Sequence, residues 1–446
     1  MPSARSISLD VLDRVFFDGA YSHIALSAAL DDGELSDRDR GLSTELVYGT
    51  LARKRTIDAI LSEFVNRSLD GLDRPVLISL RMAVYQLVFL DRIPAHAAVD
   101  EAVELSKKHC GQGAAGFTNG VLRSLLRKEE KWTIWDNVDA EENPVEYLGL
   151  RHSLPDWIAS QLIERHGFKK AMDIAEAYNG RPPLYFRALK ELSDAVEEQL
   201  EPVQSVPGAY RSDSMSPALL RAVREHRLVV QDLGSQLVGY FASPSTTERI
   251  LDACAGLGGK TLHLAQLAGD NATVVAVEPH QSKLDQLAET LGDLSLGERI
   301  EPFHGELTKL PADSAKFDLV LVDAPCSGLG VIRRHPETRW RRDKSDVANR
   351  ARLQSELLNQ AARHVAPGGL LVYSVCSFAN REGPARIAEF LNEHSHFERA
   401  SAPSGDDIDW SQFADEAGDL HLNPLDHNTD GFYAARLQRK SEPEPK

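Results

Sequence analysis

Between about Ser8 and Lys131 apolar positions recur at the spacing of helices that bury one face: Leu9, Leu12, Val15 and Phe16, then Leu42, Leu46 and Leu51, then Val84, Leu87 and Val88. Ser or Asp precedes several of these runs, as N-caps would, and Gly111-Gln112-Gly113 punctuates them. The pattern predicts an all-helical domain over residues 1–131. Residues 132–230 combine helical stretches at 155–166 and 168–178 with a short strand at 184–189, which reads as a connecting α+β module. From Gln231 the grammar changes to strand, turn, helix. Apolar runs at 250–254, 274–277, 317–322 and 370–374 alternate with helical stretches at 261–268 and 350–365. That alternation predicts a doubly wound, mostly parallel, Rossmann-like sheet over residues 231–440, with ligands beyond the carboxyl ends of its strands. Residues 441–446 are expected to be a disordered tail.

Composition sharpens this outline in three ways. No apolar run reaches the length of a membrane span and the N-terminal residues lack a signal-peptide core, so a cytoplasmic protein without a membrane partner is expected. Four cysteines, Cys110, Cys254, Cys326 and Cys376, show neither disulfide nor metal-ligand spacing, so no metal is expected. The net charge of −17 by itself opposes a nucleic-acid partner, but its distribution matters more than its sum. Residues 1–135 are nearly balanced, with 17 Lys/Arg against 19 Asp/Glu, whereas residues 377–446 carry 7 against 14. Between Val331 and Arg352 the sign reverses: Arg333, Arg334, Arg339, Arg341, Arg342, Lys344, Arg350 and Arg352 face only Glu337, Asp343 and Asp346. That stripe is either an RNA contact or a solvated face; the five arginines nearest Cys326 are expected to line the path of an RNA strand.

The segment Cys254-Ala255-Gly256-Leu257-Gly258-Gly259-Lys260 joins a strand to a helix, and its glycines would let a nucleotide-like ligand approach the backbone. Glu278 ends the next strand, where a carboxylate can accept hydrogen bonds from a ribose hydroxyl pair. Together they indicate an adenosine-containing cofactor and leave NAD and S-adenosylmethionine open.

The thiols separate these alternatives. Asp323-Ala324-Pro325-Cys326 and Tyr373-Ser374-Val375-Cys376 put two cysteines at the ends of two strands, with a carboxylate three residues before the first. C5 of cytosine is too weak a nucleophile to attack a methyl sulfonium. A thiolate adding to C6 makes C5 enamine-like, an acid near N3 assists, and loss of the C5 proton then lets the thiolate leave. Two thiols and Asp323 match that requirement. An NAD-dependent oxidoreductase would leave both thiols unused.

The chain resembles the RsmB (Fmu/Sun) family of 16S rRNA cytosine-C5 methyltransferases over nearly its whole length. The resemblance rests on Ile93–Val103 and Phe117–Arg123 in a NusB-like helical RNA-binding domain, on Gln231–Gln236, on Asp323–Glu337 and on the Cys376 motif. It implies Cys376 as nucleophile, Cys326 in product release, and Asp323 between cofactor and base. It further implies S-adenosylmethionine held by the Cys254–Lys260 loop and Glu278, with Lys260 near the reacting centre. DNA cytosine methyltransferases would instead nominate the Pro-Cys thiol, Cys326. The expected partner is 16S rRNA or an early small-subunit assembly intermediate, bound by a monomer. The alternatives are another RNA such as tRNA, or a non-catalytic NusB-like antitermination protein. Three departures stand out: Gly256-Leu257 in place of Ala-Pro, Val375 in place of Thr, and His304 in place of an adenine-contacting Asp. Either His304 or Glu306 would take that last contact.

Overall fold

The computed structural model describes residues 3–441 except 32–34, 129–131, 245–247, 295, 312–315 and 405–407. The expected tail falls almost entirely outside the described residues. The chain forms two compact units, one of residues 1–180 with 332–342, the other of 181–331 with 343–446. The stretch 132–230 is therefore divided at Gly180 between the two.

The first unit is helical throughout. Ala4–Phe17, Ser22–Asp31, Asp37–Ala52, Lys54–Ser62, Arg74–Phe89 and Ala95–Leu126 are followed by Pro144–His152 and Asp156–Ala177. Arg74–Phe89 is the axis of the packing, with eleven consecutive buried residues from Val76 to Gln86. Its two sides feed two apolar clusters, Leu80 and Val84 meeting Leu46, Ile57 and Leu122, while Ile78 and Met82 meet Leu12, Val47 and Leu51. The helices expected at 155–166 and 168–178 form one element broken at Gly167, whose φ of +73° no regular helix contains.

The segment Ile332–Arg342 completes this unit and corrects the reading of the basic stripe. Arg339 is only 1% exposed and donates to the Asn179 side chain at 2.8 Å and to the carbonyls of Tyr178 and Ala52 at 3.0 and 3.1 Å. Arg341 donates to the Val15 and Ala20 carbonyls at 2.7 and 2.5 Å, and Arg333 to that of Gly180 at 3.1 Å. These guanidinium donors close backbone acceptors, so Arg339 in particular cannot line a path for RNA.

The second unit holds two sheets. In the smaller, β1 (Leu184–Ala188) pairs antiparallel with β3 (Ala209–Ser212) and β4 (Leu228–Val230), and β3 with β2 (Glu201–Pro202). In the larger, β5 (Arg249–Asp252), β6 (Thr273–Glu278), β7 (Ile300–His304), β8 (Phe317–Asp323) and β9 (Val365–Val375) run parallel in the order β7-β6-β5-β8-β9. β12 (Phe432–Arg439) adds antiparallel to β9, with β10 (Phe397–Arg399) and β11 (Leu420–Leu422) on β12. Alternation along each strand fills both faces: Val274 and Ala276 join Leu237, Phe241 and Leu264, while Val275 and Val277 join the layer of Leu358, Ile387 and Phe390. The strand order turns back at β5 and β8, so their carboxyl ends flank the crevice where such sheets bind ligands.

Candidate active site

The glycine segment follows β5 at that crevice. Gly258 has φ +85°, and a Cβ there would overlap the Leu287 side chain, whereas Gly256, at φ +58°, has open space around it. Beneath the loop Asp252 accepts from the Thr261 hydroxyl at 2.7 Å and from the Cys254 amide at 3.3 Å. Burial raises the Asp252 pKa to about 6, with Thr261 opposing the rise and Asp323 adding to it. Arg187 of β1, itself buried, donates to the Gly259 carbonyl at 3.1 Å and to Gln231 at 2.9 Å, tying the small sheet to the start of helix Gly259–Leu267.

Glu278 ends β6 with 4% exposure. It accepts from the His280 amide at 2.9 Å and faces His280 Nδ1 at 2.5 Å and Lys283 at 3.5 Å. Burial would raise its pKa; the His280 bonds and Lys283 outweigh that and leave it below the usual value. His304 lies opposite Glu278 in the β6–β7 register, exposed, with Nε2 at 3.1 Å from the Pro279 carbonyl. Glu306 is exposed two residues further on. An open glycine turn beside a buried carboxylate at the end of the next strand could hold an adenosine-containing cofactor.

At the ends of β8 and β9 the expected reactive residues converge. Asp323 and Ser374 are register partners, and the Ser374 hydroxyl donates to Asp323 Oδ1 at 2.7 Å. Lys260 Nζ donates to Asp323 Oδ2 at 2.7 Å, and its ring neighbour is Phe432 at 5.5 Å. Burial opposes the Lys260 charge, but Asp323 more than compensates, so its pKa lies above the ordinary lysine value. Three residues past the end of β8 and one past the end of β9 the thiols meet, Cys326 Sγ and Cys376 Sγ being 3.3 Å apart. The hydrogen bond with Cys376, then burial and charge including Glu382, push the Cys326 pKa well above the usual thiol range. Cys254, in contrast, is a loop thiol with its pKa raised by burial. The loop after Cys326 is pinned back on Cys376: Gly330 N–H donates to the Cys376 carbonyl at 3.0 Å, and a Cβ on Gly330 would overlap the Gly431 carbonyl oxygen.

Ser374, Thr261, His280 and Glu382 are the residues that sequence reasoning missed. Each is ordinary in its local sequence; Ser374, Thr261 and Glu382 acquire partners through strand register or a loop crossing, and His280 meets Glu278 two residues before it. A separate trio, His23, His335 and Glu337 in the first unit, brings ligand-type atoms within 4.8 Å of one another, and there Glu337 already accepts from the Ser22 amide and hydroxyl at 3.0 and 2.9 Å.

The family model of 16S rRNA methyltransferase RsmB/F matches residues 240–438, and that of the NusB family matches residues 2–127. A Bacillus subtilis (strain 168) protein named probable ribosomal RNA small subunit methyltransferase B is 33% identical over 98% of this chain and 99% of its own. The chain belongs to the ribosomal RNA small subunit methyltransferase B family. A ribosomal RNA small subunit methyltransferase B of Escherichia fergusonii is 31% identical over 91% of this chain and 92% of its own. Among solved structures the fold is shared with PH0851, at TM-score 0.78 and 23% identity over 98% of this chain and 99% of that one. It is shared in part with NSun6 from Pyrococcus horikoshii solved with SFG, at TM-score 0.54 and 18% identity over 65% and 99%. In this family the resemblance drawn from the sequence holds at both ends, a NusB domain followed by a Rossmann-like methyltransferase domain. Among the described residues no helix is long and apolar enough to cross a membrane.

Proposed function

We propose that the chain transfers a methyl group to C5 of a cytosine in 16S rRNA, with Cys376 as the nucleophile. The observation that carries this reading is the pair of thiols 3.3 Å apart beside the Lys260–Asp323 ion pair. The Cys254–Lys260 loop and Glu278 would hold S-adenosylmethionine, which supplies the methyl group when bound.

Either sulfur can donate across the 3.3 Å contact; with the Cys326 pKa raised well above the usual thiol range, the attack is assigned to Cys376, toward which Cys326 would donate its S–H. The Cys376 thiolate forms a bond to C6 of the base, and the C5–C6 π pair shifts onto C5. The Lys260–Asp323 pair furnishes the proton that neutralises N3 as charge develops there. Once C5 carries the methyl group, Cys376 is a thioether and no longer raises the pKa of its neighbour. Cys326, after giving its own proton to solvent, then takes the C5 proton; the C5–C6 double bond reforms, the S–C6 bond breaks and N3 returns its proton. His304, bonded only to a backbone carbonyl among its described partners, is available to an adenine edge.

The order of steps supplies the test. Cys376→Ala should neither methylate RNA nor form a covalent adduct. Cys326→Ala should accept the methyl group and stall as a protein–RNA conjugate that survives a denaturing gel. The reverse pattern would transfer the nucleophile to Cys326, and activity in both variants would end the covalent mechanism.

A further inference from the structure

Behind the two thiols lies a carboxylate that none of these steps uses. Glu382 is 0% exposed and follows Cys376 by six residues. Its Oε1 accepts from the Ser327 amide at 2.7 Å and from Gln354 Nε2 at 3.2 Å. Its Oε2 accepts from the Ser377 hydroxyl at 2.6 Å and from the Ser327 hydroxyl as well. Those hydroxyls are 3.2 Å from each other. Ser327 follows Cys326 and Ser377 follows Cys376, so one buried side chain grips the residue next to each sulfur. Its own main chain is anchored too, the Tyr373 hydroxyl donating to the Glu382 carbonyl at 2.6 Å. A buried carboxylate is costly, and here four donors from three segments offset that cost. Glu382 Oε2 thus reinforces the direct contact between the Ser327 and Ser377 hydroxyls by accepting from both.

We infer that Glu382 is a positioning residue that sets the spacing of Cys326 and Cys376 by clamping Ser327 to Ser377, and that methyl transfer depends on this clamp. The second half rests on the two-thiol reading above; the first does not. Reach matters more than charge in such a clamp. Glutamine can accept from the Ser327 amide through its oxygen and donate to both hydroxyls through its nitrogen, whereas aspartate is one methylene short and alanine offers nothing.

The test reads thiol spacing and turnover separately in the full-length chain. In glutathione buffers the two thiols reduce one glutathione disulfide to two glutathiones and become one disulfide, and peptide mapping follows the Cys326–Cys376 linkage. Glu382→Ala and Glu382→Asp should lower that equilibrium constant by about tenfold or more, while Glu382→Gln stays within about threefold of the unsubstituted chain. The double variant Ser327→Ala/Ser377→Ala, which keeps the buried carboxylate, should behave like Glu382→Ala. Binding of S-adenosylmethionine should stay within about threefold throughout, reporting an intact fold. Turnover should follow spacing, with kcat down by about a hundredfold for Glu382→Ala at little-changed KM for RNA and partly rescued in Glu382→Gln. An unchanged thiol equilibrium in Glu382→Ala and in the serine double variant overturns the inference, as does a Glu382→Gln variant as impaired in spacing as Glu382→Ala. A shifted equilibrium in a chain that never methylates cytosine upholds the clamp and defeats the proposed function alone.

Discussion

Asp252 shows what the site costs one residue at a time. Its folded pKa of about 6 exceeds the ordinary 3.8, so the folded state holds this proton more tightly than the unfolded state does. The stability it contributes is therefore present below about pH 4 and lost as pH rises through about 6. At pH 8 the ionised group costs about 3 kcal/mol. Asp252→Asn keeps an acceptor for Thr261 and Cys254, and should raise Tm at pH 8 while giving little gain at pH 4.5. Equal shifts at both pH values would show that the carboxylate is not desolvated. The nucleophile candidates were legible in the sequence because a thiol beside a strand-ending carboxylate is chemically unusual. Asp252, Ser374 and Glu382 were not, since a serine or acid becomes part of the site only when folding supplies its partner.

Among elements, the strands of the large sheet were the most readable, since their apolar runs must fill two faces at once. The observed β8 differs from its expected span by one residue at one end and β6 by one residue at each end. The helix expected at 350–365 in fact begins at Lys344, where Asp343 and Asp346 form a capping box that its polar first turn concealed. The segment Ile332–Arg342 misled for a different reason: a run of like charges looks solvated, and counting charges does not reveal which carbonyls they will close. Arg339→Lys should therefore leave the salt dependence of RNA binding unchanged, yet destabilise the first unit, because a lysine cannot reproduce the fork. Arg339→Ala should cost about 3 kcal/mol or more by denaturation, with four acceptors left without this donor. A fall of about one unit in the log–log salt slope for Arg339→Lys would place that side chain against phosphate.

For the whole molecule, the hydrophobic period changes near Gln231, whereas the two units divide at Gly180, and neither that division nor the return of 332–342 to the first unit was plain in the sequence. No local pattern announces that a segment will pack with a partner more than 150 residues away. A fragment of residues 1–180 should melt at a lower temperature than the same fragment joined through a flexible linker to residues 332–342. Amide exchange in Pro144–His152 and Asp156–Ala177 should slow in the joined form, because Arg339 closes acceptors at Tyr178 and Asn179. Identical melting would mean that the segment adds nothing to that unit.

The same segment sets a schedule for synthesis. A ribosome that has finished residue 180 must still add some 160 more before Arg342 is made. At about 5–20 residues per second that is roughly 10–30 s. For that interval the nascent helices emerge with the Ala52, Tyr178 and Asn179 acceptors still waiting for Arg339. A chain that stops early, anywhere before this segment, carries the helices of the first unit without the Arg339 donor that closes the Ala52, Tyr178 and Asn179 acceptors.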